Sequence, residues 1–298
     1  MSGEKKNVIA LGFFDGVHRG HQALLKCAVE RAAERGMTPA VFTFDRSPKE
    51  FVSGIPVPLI TAPEERRDTV QRLFPIEKVF IVPFDREMMT MDWEDFVLML
   101  AERYNAGHLV AGHDFRFGHR NAGTPELLTE KAVQLGMGCD IIPAVALDGT
   151  TVSSTHIRSL LLQGEMEEAA RFLGYHYAMT GTVRHGTGLG RTIGAPTLNL
   201  IPTPHQLIPA YGVYATRVTV DGQEYGAVTN VGVRPTVDEN GGVTVESHLI
   251  DVNAQLYGSR CRVEFLKMLR GEMKFESLNA LQSQIAKDVA QAREILEK

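Results

Sequence analysis

Val8-Ile9-Ala10-Leu11-Gly12-Phe13-Phe14-Asp15-Gly16-Val17-His18-Arg19-Gly20-His21 is the stretch on which the fold turns. The apolar run at 8–11 reads as a short strand that Gly12 ends. A helix is expected from about Gly20 to Arg35, with Gly36 as its stop. Backbone N–H groups and the dipole at a helix start favour anions. His18 and His21 lie three residues apart on one face of that first turn. Two imidazoles there can donate hydrogen bonds to phosphate oxygens as charge builds during attack on an α-phosphate. Gly20 leaves room for an adenine or ribose against the backbone. An isolated pair of this spacing fits two surface histidines near a turn equally well. Its place between strand and helix makes it more specific.

Outward from this stretch, strand and helix alternate. Strands are expected at 40–44, 78–82, 108–111 and 140–142. Helix starts are expected at Thr61-Ala62-Pro63-Glu64, Asp92-Trp93-Glu94-Asp95 and Thr124-Pro125-Glu126. This implies a parallel sheet covered on both faces. Ligands bind such sheets beyond the C-terminal strand ends, where residues 12–21 and 112–118 fall. The second of these, Gly112-His113-Asp114-Phe115-Arg116-Phe117-Gly118, offers a carboxylate and aromatics to a planar ligand or a phosphate. Core packing explains the two phenylalanines equally well. Ser153-Ser154-Thr155-His156-Ile157-Arg158 opens a further helix and would bring Arg158 to the phosphates. A capped helix with a solvated arginine is the alternative. Residues 153–174 read as helical with a break at Gly164.

After Tyr175 the period changes from helical to alternating. Residues 212–220 and 223–228 flank Asp221-Gly222, a strong hairpin signal, and Asn240-Gly241-Gly242 marks a second turn. This half is expected to be a small antiparallel barrel, ending in an amphipathic helix with Leu278, Leu281, Ile285, Val289, Ala292 and Leu296 on one stripe. The domain boundary is drawn at 174/175. Within this half, Thr197 and Asn199 share a face of one strand. A hydroxyl and an amide oxygen suit Mg²⁺ that keeps waters and substrate phosphates. The preceding stretch, with Gly186 and Gly190, could wrap a nucleotide. Glu246 lies with Thr244 and His248 on the polar face of another strand, and can accept a proton from an attacking alcohol. Simple solvation also suits it.

The chain has 298 residues, room for two cores. The formal net charge of −5 argues against a dedicated nucleic-acid binder. No apolar run approaches membrane-spanning length, and the polar start lacks a secretory signal, so a cytoplasmic location without membrane partners is expected. Cys27, Cys139 and Cys261 show neither disulfide nor metal-ligand spacing. Oligomeric state is not legible.

Six ordered motifs, at 12–21, 112–118, 153–158, 190–199, 230–236 and 245–251, resemble those of bacterial bifunctional riboflavin kinase/FMN adenylyltransferases. The similarity covers nearly the whole chain. It implies a Rossmann-like nucleotidyltransferase domain at 1–174 and a riboflavin-kinase β-barrel with a C-terminal helix at 175–298. It implies conversion of riboflavin and ATP to FMN, then of FMN and ATP to FAD. By the same resemblance His18, His21 and Glu246 are the catalytic candidates. Gly12, Phe13, Asp15, Gly20, Asp114, Ser154, Arg158, Gly186, Gly190, Arg191 and Arg234 are the ATP- and flavin-binding candidates. Thr197 and Asn199 are the Mg²⁺ candidates. Two positions depart from the family pattern. Ser47 stands where the family carries histidine, and Leu198 replaces an alanine. Ser47-Pro48-Lys49-Glu50 suits a helix cap, and Arg46 is the expected substitute for the histidine's contact. The alternative is a riboflavin kinase with a weak or altered adenylyltransferase module.

Overall fold

The computed structural model describes residues 5–184, 197–233, 242–252 and 258–297. Contacts divide the chain into two units, 1–154 and 155–298.

The first unit is a parallel sheet of β1 (Asn7–Leu11), β2 (Thr38–Phe44), β3 (Lys78–Val82), β4 (Ala106–Gly112) and β5 (Gly138–Ile142), in the order β3-β2-β1-β4-β5. The helices are α1 (Arg19–Arg35), α2 (Pro48–Ser53), α3 (Pro63–Leu73), α4 (Arg86–Thr90), α5 (Trp93–Arg103) and α6 (Pro125–Gln134). Strand alternation sorts them to two faces. Val8, Ala10, Val41 and Val110 pack on Leu24, Leu25 and Ala28 of α1 and Val70 of α3. Ile9, Leu11, Phe42 and Leu109 pack on Phe96 and Leu100 of α5 and Leu128 of α6. The order reverses between β1 and β4, so the crevice for a ligand opens at their C-terminal ends. Two caps match expectation: Asp92 accepts from the Glu94 N–H and Thr124 from the Leu127 N–H. Thr61 does not cap α3. The N-cap there is Ala62, and no side chain caps it. Ser47 caps α2, but Glu50 turns to the Val57 N–H instead of closing the box. A two-stranded hairpin, β6 (Ala146–Leu147) and β7 (Thr150–Thr151), ends the unit.

Helix α7 (Ser154–Gln163), whose first residue closes the first unit, and α8 (Met166–Leu173) open the second, with a break at Gly164, whose φ is +81°. Contacts group this helical pair with the barrel, whereas the sequence reading draws the boundary at 174/175. The barrel is closed and six-stranded, made of β8 (Ala178–Arg184), β9 (Thr197–Pro202), β10 (Gly212–Val220), β11 (Gln223–Val233), β12 (Val243–Leu249) and β13 (Arg260–Arg270). Asp221 and Gly222 both have positive φ, as a two-residue hairpin turn of this twist requires. The second turn, at Asn240 and Gly241, lies outside the described residues. Inside the barrel, hydroxyls of Thr216, Thr229 and Ser247 form a chain at 2.7 and 2.8 Å across three strands. They satisfy one another away from water.

The closing helix α9 (Leu278–Leu296) covers Val213, Ala215 and Val228 on the barrel's outer surface with Val289, Ala292, Ile295 and Leu296. Gly226 permits the approach, since a Cβ there would lie 2.7 Å from Leu296. Among the apolar residues sits Asp288, whose side chain is 3% exposed. Arg270 of β13 forks onto it at 2.9 and 3.2 Å, and Gln284 adds a bond at 2.8 Å. Asp288→Ala strands a desolvated guanidinium, so we expect a loss of about 3 kcal/mol in unfolding free energy. A double variant, Arg270→Met with Asp288→Leu, should recover most of it in urea melts. Equal losses in both would show that the cost does not come from the unpaired guanidinium.

Candidate functional site

The turn from β1 to α1 is backbone-strained. Phe14, Gly16 and Val17 have φ of +55°, +81° and +37°. Buried bonds hold it. Thr61 Oγ1 accepts from the Gly16 N–H at 2.9 Å, while Asp15 Oδ1 accepts from the Thr61 N–H at 3.0 Å. Thr43 Oγ1 donates to the Phe13 carbonyl at 2.9 Å. Ser154 Oγ donates to the Asp15 carbonyl at 2.9 Å. Asp15 and Ser154 are therefore structural partners in this turn. Neither Thr43 nor Thr61 is marked for this role by the sequence, in which Thr61 reads as a helix start.

His18 is itself the N-cap of α1. Its Nδ1 accepts from the His21 N–H at 3.3 Å, which leaves Nε2 to carry the proton of the neutral ring. The two imidazoles stack at 3.6 Å between centroids, 13° from parallel. Phe14 meets His21 edge-on at 5.1 Å. His21 Nδ1 is buried and has no hydrogen-bond partner among the described residues. Burial, then the His18 ring, then the Arg66 guanidinium hold the His21 pKa well below the ordinary imidazole value of 6.5. The His21 ring is thus neutral at neutral pH and carries one N–H. Gly20 serves the pair directly, because a Cβ there would lie 3.1 Å from the His18 ring.

Asp114 is exposed on the loop after β4, and its Oδ1 would lie 3.1 Å from a Cβ on Gly112. Phe117 is 6% exposed and packs against Phe96 and Phe115, so core packing accounts for that phenylalanine. Arg46 is exposed. It lies 3.7 Å from Asp45 and over the Phe51 ring. Arg158 is half-buried on α7, in the second unit.

On the barrel, antiparallel register sets Glu246 opposite Asn199 and His248 opposite Thr197. Paired residues share a face. Arg184 faces Asn199 on the other side, and Asn230 faces Glu246. A polar row, Arg184-Asn199-Glu246-Asn230, therefore crosses four strands. Leu198 is 7% exposed and turns inward, away from this row. Asn199 is also 7% exposed. Glu272, unmarked in the sequence, packs over Gly232, where a Cβ would lie 2.2 Å from its carboxylate. Gly186, Gly190, Arg191 and Arg234 lie outside the described residues. No cluster of His, Cys, Asp and Glu able to hold a metal occurs among the described residues.

The two units correspond to two known domain classes. Residues 1–156 match the family model described as FAD synthetase, and residues 173–296 that described as riboflavin kinase. A bifunctional riboflavin kinase/FMN adenylyltransferase from Pseudomonas fluorescens is 37% identical over 287 residues, covering 96% of this chain and 92% of the relative. The protein of that name from Bacillus subtilis is 35% identical over 297 residues, covering 97% and 92%. That from Escherichia coli K12 is 36% identical, covering 96% and 92%. The chain belongs to this family. A crystal structure described as a macrolide-efflux protein from Streptococcus pneumoniae superposes with a TM-score of 0.86 at 31% identity, covering 98% of this chain and 95% of the other. In the present chain no helix among the described residues is long and apolar enough to cross a membrane.

The depressed His21 pKa gives stability a pH dependence of known sign. Above pH 6.5 both folded and unfolded rings are neutral. Below it the unfolded ring binds a proton that the folded ring refuses, so stability falls as pH drops towards the folded value. His108, also depressed by burial, contributes in the same direction. Melts between pH 7 and 5 should show a smaller slope in His21→Gln than in the unsubstituted chain. An unchanged slope would place the His21 ring in water.

Proposed function

We propose that this chain makes FAD from riboflavin in two ATP-dependent steps, with residues 175–298 forming FMN and residues 1–174 adenylylating it. The observation that carries the reading is the pair of consecutive family matches, supported by relatives aligned over nearly the whole chain.

In the kinase step the riboflavin 5′-hydroxyl attacks the γ-phosphorus of ATP, and ADP leaves. Glu246 accepts the hydroxyl proton. Asn230 and Asn199, opposite it on either side, can orient its carboxylate. Thr197 and Asn199 offer neutral oxygens beside one carboxylate. This donor set fits a magnesium ion that takes most of its ligands from phosphates and water. Magnesium, when bound, neutralises phosphate charge there.

In the second step an FMN phosphate oxygen attacks the α-phosphorus of ATP, and pyrophosphate leaves. The nucleophile is already anionic, so no general base is needed. The chemistry asks for donors aimed at developing charge. His18 and His21, stacked at the switch-point end of β1, meet that requirement. Asp114 and the residue 12–16 turn border the nucleotide. Three free cysteines support a cytoplasmic setting. Small molecules are the partners, with no nucleic acid.

Glu246→Gln should lower FMN formation by about 10²–10⁴-fold and leave FMN-to-FAD conversion intact. His18→Ala and His21→Ala should do the reverse, each costing FAD formation about 10²–10³-fold. Both steps falling together in any one variant would argue against separate sites. Full kinase turnover in Glu246→Gln would remove Glu246 from the mechanism. A fragment of residues 175–298 should fold and phosphorylate riboflavin by itself. An unfolded fragment by circular dichroism would show that the barrel needs α7 and α8.

A further inference from the structure

Arg66, in the first turns of α3, is 0% exposed, and among the described residues it heads the fully buried side chains by volume. Its guanidinium lies 4.3 Å from the centre of the Phe13 ring. It donates to Thr43 Oγ1 at 3.0 Å, to the Phe44 carbonyl at 2.7 Å and to the Thr61 carbonyl at 3.5 Å. Nε has no partner among the described residues. These acceptors are all uncharged. The carboxylates of Asp15 and Asp45 act on the cation through space and accept from the Thr61 and Phe84 N–H groups. Burying a cation without a bonded anion is costly, and an apolar side chain of similar volume would avoid that cost. Burial pulls the guanidinium pKa down to about 10, so it still carries its charge at neutral pH.

The bonds of Arg66 converge on the catalytic turn. Thr43, which receives its hydrogen bond, passes one on to the Phe13 carbonyl. Thr61, whose carbonyl it bonds, clamps Gly16 and Asp15. The cation also acts on the His21 ring. We propose that Arg66 is a positioning residue of the adenylyl-transfer site: it braces the residue 13–16 turn from beneath and supplies a fixed positive charge that the incoming triphosphate neutralises. Being fully buried, it touches no phosphate. It acts through Phe13 and through the field at the histidine pair. The inference rests on the adenylyl-transfer reading of this site and adds to it a residue that no motif marks.

The groups facing His21 are His18, Phe14 and Arg66, so their contributions are separable by substitution at Arg66. Arg66→Met removes the charge and keeps the length. Arg66→Lys keeps the charge and loses the planar fork. The full chain, with its histidine rings labelled for NMR, is titrated first with acid and then with magnesium ATP, following the His21 ring. In Arg66→Met the His21 midpoint should rise by on the order of one unit, since a like charge has been removed. The ATP affinity read at that ring should fall about tenfold, the loss of roughly one unscreened charge interaction. In Arg66→Lys the midpoint should stay at the wild-type value and ATP affinity within about threefold, while the FMN-to-FAD rate drops because the brace is loosened. Equal behaviour of the Lys and Met variants in the acid and ATP titrations would reduce Arg66 to a packing residue, as would wild-type behaviour of both. Should Arg66→Met fail to fold, a shifted midpoint or a tenfold loss of ATP affinity in Arg66→Lys would overturn the proposal. The ring titrations need no turnover, so a wild-type chain that makes no FAD would contradict the functional reading on which this one rests, whereas flat titrations in a chain that makes FAD would contradict the role of Arg66 alone.

Discussion

The chain leaving β1 must become a helix within eight residues, and it does so through three positive φ angles at Phe14, Gly16 and Val17. Two of these are not glycines, and such backbone persists only where its surroundings over-determine it. Much of the first unit around β1 serves that demand. The Thr61 hydroxyl holds the Gly16 N–H, the Asp15 carboxylate holds the Thr61 N–H, Thr43 holds the Phe13 carbonyl, Ser154 holds the Asp15 carbonyl, and His18 caps the helix with its own ring. The strain aims His18 and His21 together at the switch point of the sheet. Relaxing the turn would unstack the pair.

The two units place their candidate residues by different means. In the parallel sheet the donors stand on a loop at strand ends, where backbone N–H groups are unpaired and anions are welcome. In the barrel every strand is paired on both sides, so the candidate groups stand on the pleat. Register does the placing: Glu246, Asn199, Asn230 and Arg184 align across four strands because cross-strand partners share a face. A slip of one residue in β12 would carry Glu246 inward and bring hydrophobic Val245 out. The buried hydroxyl chain of Thr216, Thr229 and Ser247 disfavours that slip, since it would leave polar groups unsatisfied.

What is legible in the sequence is mainly periodic. β3 falls at 78–82 as expected, α1 stops at Gly36, and Asp221-Gly222 makes its hairpin. These elements are decided by local chemistry, either a turn residue or an apolar run. Long-range polar contacts carry no such period. Thr61 looks like a cap in sequence because a hydroxyl before Ala-Pro commonly is one, yet its hydroxyl serves Gly16, forty-five residues earlier. Asp288 interrupts the apolar stripe of α9 for Arg270, whose pairing only the folded strand reveals. Gly20 reads as space for a ligand, and in the fold its missing Cβ also leaves room for the His18 ring. Arg66 gives no signal, because a basic residue in a helix beginning Pro-Glu-Glu reads as solvated. Part of the barrel's glycine-rich stretch lies outside the described residues, so its proposed role rests on resemblance.

The two halves act as successive stations for one flavin. The measurement closest to that claim is a time course of flavin products from the purified full-length chain supplied with riboflavin, ATP and magnesium, resolved by chromatography. FMN should rise first, and FAD should follow at its expense with pyrophosphate released in equal amount. FMN accumulating without FAD, or riboflavin remaining unchanged, would contradict the account.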